Sequence, residues 1–407
     1  MRKPISKRAT LRLALLLAMG IAVVTQAFSQ GDSKSDPAEI SVGNGKHVSA
    51  GIEARILRVE RGLRPDAAIG GQPQLKWNIV ERMKHYKVPG VSIAVISGGK
   101  VEWARGYGVT AVGGKPVDSE TLFQAGSISK PVTALTALRL VDEGKLSLDE
   151  DVNLKLRSWK VPENEFTKTQ KVTLRRLLNH SAGFAHYFTG YTAGEPLPSL
   201  LEILDGKKPA NSAPIRVEII PGTQFNYTGS GYVVVQQLVM DVTGKSFPKL
   251  VQEKVLGPLG MVHSTFQQPL PASLEADAAA GYNSDGTMVE GRWHTYPEMA
   301  ATGLWSTPSD LARVVLELQN GGHILKPASQ REMLTKLLGD FGLGIALEEN
   351  AGRKSFSHIG GNAGFKCYLF GYLDGGDGVV IMTNSDNGYE LIWEIMRSIS
   401  AEYRWPG

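Results

Sequence analysis

The chain has 407 residues, of which 42% are hydrophobic and 21% charged, enough apolar material for a large buried core and too much for a disordered or low-complexity protein. Its formal net charge of +4 sits at the start, where Arg2, Lys3, Lys7, Arg8 and Arg12 have no acidic neighbour before residue 30; the remainder carries −1. That balance excludes a basic body built for nucleic acid, so no nucleic-acid partner is expected.

In chain order, residues 1–29 read as an export signal: a basic start, the apolar run Leu13 to Val24, then small residues at Ala27 and Ser29, with cleavage near Ser29. The run is shorter than the roughly 20 apolar residues of a membrane-spanning helix. No stable membrane span is therefore expected after cleavage, and the destination is periplasmic or secreted. Cys367 is the only cysteine, which excludes an intrachain disulfide and a lipid-bearing cysteine beside the signal. Its apolar surroundings, Phe365 to Leu373, make it a buried strand residue.

Residues 30–70 read as a polar spacer followed by a short helix over Gly51 to Leu63, and 71–407 as the functional domain. Leu75, Ile79, Val80 and Met83 recur at helical spacing and predict a helix from Leu75 to Tyr86, stopped by Pro89-Gly90. Val91 to Ile96 and Lys100 to Gly108 form a predicted hairpin about Gly98-Gly99. Helical patches follow, among them Pro131 to Asp142, Val172 to Leu178, Tyr232 to Val242, Lys249 to Val255 and Pro308 to Asn320. Strands return at Lys354 to His358, Phe365 to Leu373 and Gly378 to Asn384, and a helix from Tyr389 to Tyr403 closes the chain. The two ends thus predict one antiparallel sheet with flanking helices, about 71–125 and 340–407, around a mainly helical insertion at about 126–339. The class is α/β in the α+β sense.

Ser127-Ile128-Ser129-Lys130 places a hydroxyl and an amine three residues apart at the opening of a helix, where both share one face. A serine needs a base to become a nucleophile, and a desolvated lysine can be that base. The first turn adds unpaired N–H groups and a positive dipole end, which favour a developing oxyanion. The pattern is weak alone, because Ser-x-x-Lys occurs three times. Ser97 to Lys100 is the hairpin turn, and Ser246 to Lys249 opens a helix with Ser246 as a cap.

Phe123 to Pro131 around that motif, Glu143-Gly144-Lys145-Leu146, Leu177 to Gly183, Pro221-Gly222 before Tyr227, Gly303-Leu304-Trp305-Ser306 before Asp310, and His358-Ile359-Gly360-Gly361 together resemble the serine β-lactamase and penicillin-binding-protein superfamily, in its class C branch. The resemblance implies the β-lactamase/transpeptidase fold and hydrolysis through an acyl-enzyme. It makes Ser127 the nucleophile, Lys130 its proton partner and Tyr227 a second proton carrier. The N–H groups of Ser127 and Gly361 become an oxyanion hole, and His358 and Gly360 line the substrate strand. No metal and no organic cofactor are implied; the partner is a small-molecule or peptide acyl substrate.

Two departures stand out. Where the family has Tyr-x-Asn this chain reads Tyr227-Thr228-Gly229, so the amide side chain is missing. Where many members have Lys-Thr-Gly it reads His358-Ile359-Gly360, and a histidine of ordinary pKa near 6.5 is only partly charged at neutral pH. Both weaken recognition of a carboxylate-bearing β-lactam and favour esters, amides or peptides without that group. A binding module for penicillin or cell-wall peptide with little turnover is the competing reading. No Gly-x-Ser-x-Gly elbow supports an α/β-hydrolase, and His180 and His186 lack a third ligand for zinc. His180 is expected to brace its loop; Trp305 and Tyr187 are expected to pack, with the pocket rim as the alternative.

Overall fold

The computed structural model describes residues 42–43, 49–65 and 75–406. The expected export segment and its cleavage site lie outside them. The strands are β1 (Val42–Gly43), β2 (Gly90–Ser97), β3 (Lys100–Gly108), β4 (Phe123–Gln124), β5 (Trp305–Ser306), β6 (Ala346–Asn350), β7 (Arg353–Asn362), β8 (Phe365–Tyr372) and β9 (Gly378–Thr383). Seven make one antiparallel sheet in the order β1-β3-β2-β9-β8-β7-β6, and β4 pairs separately with β5.

The central strands are apolar on both faces because both are covered. Val91, Ile93 and Val95 of β2 and Val379 and Ile381 of β9 point toward the helices Ala50–Glu60, Ile79–Tyr86 and Gly388–Tyr403. The alternate residues Ala94, Ile96, Val380 and Met382 join the core of the helical side. β2 and β3 turn through Gly98 and Gly99, both at positive φ (59° and 75°), which suits a two-residue hairpin.

The predicted antiparallel sheet drawn from the two chain ends is present, with four differences. β6 was not foreseen; its sequence Ala-Leu-Glu-Glu-Asn lacks a strand pattern, and its pairing with β7 at Leu347↔Phe356 makes it a strand. Residues 42–43, expected in a free spacer, pair with Tyr107 and Gly106 on the edge of β3. The helix predicted from Leu75 begins at Ile79, where the Asn78 side chain caps the Val80 N–H. Finally, the helix Pro308–Asn320, inside the expected insertion, packs on β2, β8 and β9, so the 126–339 segment is not one helical block.

Candidate active site

Ser127 sits in the 3-10 turn Gly126–Ile128, which runs into the buried helix Ser129–Asp142. Two glycines let that turn press against the end of β7. A Cβ on Gly126, already at φ +53°, would lie 2.5 Å from the Gly361 nitrogen, and one on Gly360 would lie 2.0 Å from the Ala125 oxygen. Ser129 pins the turn by donating to the Gly126 carbonyl (2.6 Å) and accepting from the Leu304 N–H (3.0 Å). The backbone at Gly126, one residue before Ser127, is thereby a neighbour of that at Gly361, a pairing the sequence reading drew only from resemblance.

Lys130 is 2% exposed, and its Nζ donates to Ser127 Oγ at 2.8 Å and to the Ala301 carbonyl at 2.9 Å. Burial pushes its pKa down to about 7. The turn supplying that carbonyl, Met299–Thr302, also receives Thr133, whose hydroxyl donates to Ala300 O at 3.0 Å. The same turn begins at Glu298, fully buried with both carboxyl oxygens unpartnered and a pKa raised to about 7 by burial. Neither Ala301 nor Glu298 was singled out in the sequence; a backbone acceptor has no residue signature, and Glu298 reads as an ordinary surface acid until its neighbours are known.

Tyr227 lies with its ring centroid 5.0 Å from the Lys130 ammonium. Its hydroxyl is buried; burial raises its pKa and the facing Ser127 side chain lowers it in part, although no well-aligned hydrogen bond links them. His180, expected only to brace its own loop, holds the residues on either side of Tyr227. The Asn226 N–H donates to the His180 carbonyl (2.8 Å), the Thr228 N–H donates to His180 Nδ1 (3.3 Å), and the two rings are 4.3 Å apart. The residues on both sides of Tyr227 thus hang from one histidine, which holds a positive φ of 61° to reach them. Burial, then the nearby Lys130 charge, keeps that imidazole neutral by pulling its pKa well down.

Gly229 does lack the amide, yet the space is filled. A Cβ there would come within 2.8 Å of the Phe188 ring and 3.7 Å of the Ala301 methyl. Beside Phe188, Tyr187 is 52% exposed, so the rim position and not packing describes it; its hydroxyl donates to the Tyr227 carbonyl at 2.6 Å. Trp305 is wholly buried in the core, and Cys367 is a buried free cysteine on β8.

His358 stands in β7 opposite Leu369 and is 3% exposed. Its Nδ1–H donates to the Ile359 carbonyl at 2.6 Å, leaving Nε2 as a buried, unpartnered acceptor. The partial charge expected at neutral pH is corrected: burial, with the Lys130 charge second, lowers its pKa to about 3, so it is neutral. Lys366, whose stem passes within 3.6 Å of a Cβ placed on Gly361, is ion-paired with Asp386 at 2.6 Å. The other Ser-x-x-Lys copies play no part here, since Ser97 and Lys100 flank the hairpin turn and Ser246 precedes the helix Phe247–Val251.

A buried lysine with a half-buried serine and tyrosine, gathered between β7 of the antiparallel sheet and a helical layer, defines a hydrolase of the β-lactamase and penicillin-binding-protein type. The beta-lactamase family model matches residues 75–392, and the chain belongs to that family. Penicillin-binding protein 4 of Amycolatopsis lactamdurans is 28% identical over 343 residues, covering 79% of this chain and 87% of that protein. Among solved structures, the octameric penicillin-binding protein homologue from Pyrococcus abyssi superposes with a TM-score of 0.67 at 29% identity, over 79% of this chain and 75% of its own. D-amino acid amidase from Ochrobactrum anthropi shares the fold at a TM-score of 0.65 and 21% identity, over 80% of this chain and 97% of its own.

Proposed function

We propose that the protein is an exported serine hydrolase that cleaves an ester or amide through an acyl-enzyme on Ser127, acting on a small-molecule or peptide acyl substrate without a cofactor. The observation that carries this is the 2.8 Å contact between Ser127 Oγ and an amine whose pKa burial has lowered to about 7. About half of Lys130 is then the free base at neutral pH. As Ser127 Oγ bonds to the substrate carbonyl carbon, its proton passes to Lys130. The oxyanion rests between the Ser127 and Gly361 N–H groups. When the bond to the leaving group breaks, the Tyr227 hydroxyl carries a proton to it and is recharged from Lys130. Water, deprotonated by the same pair, then attacks the acyl carbon and frees Ser127. Export rests on the basic and apolar pattern of residues 1–29.

The test is labelling with a fluorophosphonate. A single adduct on Ser127, abolished in Ser127→Ala, is expected; an adduct of unchanged yield in that variant removes the proposal. Pre-steady-state kinetics with a chromogenic ester should show a burst followed by turnover. A stoichiometric burst with no turnover would instead identify the non-hydrolysing binding module.

A further inference from the structure

Resting on the hydrolase reading above, we propose that Tyr187 and Phe188 form an aromatic subsite that selects uncharged acyl donors carrying an aryl substituent. The segment holding them is strapped across the catalytic loop. The Gly229 N–H (3.2 Å) and the Ser230 hydroxyl (3.1 Å) donate to the His186 carbonyl, as does the Thr228 hydroxyl, while the Tyr187 hydroxyl donates to the Tyr227 carbonyl (2.6 Å). Both rings are therefore fixed relative to Tyr227, and the Tyr187 ring lies 6.4 Å from the Tyr227 ring at an angle of 28°.

Phe188 occupies the volume that any side chain at 229 would need, 2.8 Å from a Cβ at that position. Its neighbour across that volume is Ala301, whose carbonyl holds Lys130 Nζ at 2.9 Å. A residue that would offer a polar group beside the nucleophile's base is thus replaced by a ring. Phe188 is half-buried and Tyr187 is 52% exposed, with the tyrosine hydroxyl spent on a backbone carbonyl, so the surfaces left for a substrate are aromatic faces. Such faces favour another ring, by stacking, over an alkyl group of equal area.

The charges on both sides of the site, at β7 and β8 and at His186 next to Tyr187, argue for a neutral donor. His358 is kept uncharged by burial, Lys366 is neutralised by Asp386 at 2.6 Å, and His186 lies 3.1 Å from Glu218. A substrate carboxylate would have to displace one of these carboxylates or go unpaired.

The experiment compares kcat/KM for 4-nitrophenyl phenylacetate and 4-nitrophenyl acetate, normalised to centres titrated by fluorophosphonate. The wild type is expected to favour the phenylacetyl ester by about tenfold or more, the worth of one buried aromatic contact. Phe188→Ala should lower that ratio about tenfold. Gly229→Ala, whose methyl pushes the ring aside, should lower it likewise. Phe188→Leu keeps apolar volume without a ring, and should lose about half of the preference on a logarithmic scale; it also serves if the alanine variant folds poorly. A wild-type ratio near one, or a ratio unchanged in both Phe188→Leu and Gly229→Ala, overturns the subsite while titratable centres leave the hydrolase reading standing. Absence of titratable centres in the wild type overturns the hydrolase reading itself.

Discussion

The depressed pKa of Lys130 makes one quantitative claim about rate and another about stability. Lowering it from 10.5 to about 7 by burial corresponds to about 5 kcal/mol of lost ammonium stabilisation. For rate, the free amine is the active form, so kcat/KM should rise about tenfold per pH unit up to about 7 and level off above it. At pH 5 about 1% of the plateau remains; an ordinary lysine would give a profile still climbing toward pH 10. Glu298 has a pKa of about 7 as well, so the profile must also be measured in Glu298→Gln, where the break should persist. For stability the sign is that of a depressed group. The unfolded chain binds a proton that the native site refuses between pH 7 and 10.5, so the penalty is full below 7 and fades as pH rises toward 10.5. Lys130→Met should remove activity and yet raise stability at pH 6. The about 5 kcal/mol penalty disappears, offset by about 1–3 kcal/mol for the Ala301 carbonyl left without a donor, for a net gain of about 2–4 kcal/mol. Denaturant unfolding at pH 6 and pH 10 reads the gain and its decline. A rate profile breaking near 10, or a methionine variant less stable than wild type at pH 6, would refute a buried lysine of depressed pKa.

Glu298 gives a prediction of opposite sign. Its pKa, raised from 4.5 to about 7, means a proton held in the native state and released on unfolding. Its contribution is full below pH 4.5 and is lost as pH climbs through 7, about 3 kcal/mol in all; the stability difference between wild type and Glu298→Gln should therefore change by that amount across the window in urea titrations. His180 holds both neighbours of Tyr227 and sits at φ +61°. His180→Asn tolerates that backbone but loses the ring contact, and should lower kcat about tenfold or more with little change in KM; an equal rise in KM would assign it to substrate binding instead. Gly360→Ala would set a methyl 2.0 Å from the Ala125 oxygen and drive the Ser127 turn off β7. Fluorophosphonate labelling of that variant should slow by about 100-fold or more, and an unchanged rate would separate β7 from the oxyanion site.

Chemistry encoded over a few residues was readable in the chain itself. The three-residue step from Ser127 to Lys130 puts both on one face of any helix, paired glycines make the β2–β3 turn, and the helix Pro308–Asn320 carries its boundaries in a proline start and a polar end. What the linear order left open is what depends on burial. Lys130 has its pKa lowered to about 7 because it is buried beneath a turn 171 positions away, and His358 is neutral for a similar reason. Glu298 has its pKa raised to about 7 because the chain closes over it. The void at Gly229 looked like a missing contact until Phe188, from a distant loop, was found inside it. Helical spacing and turn conformation are set by near neighbours, whereas desolvation sums over every atom packed around a group, and those atoms are assembled only by the fold.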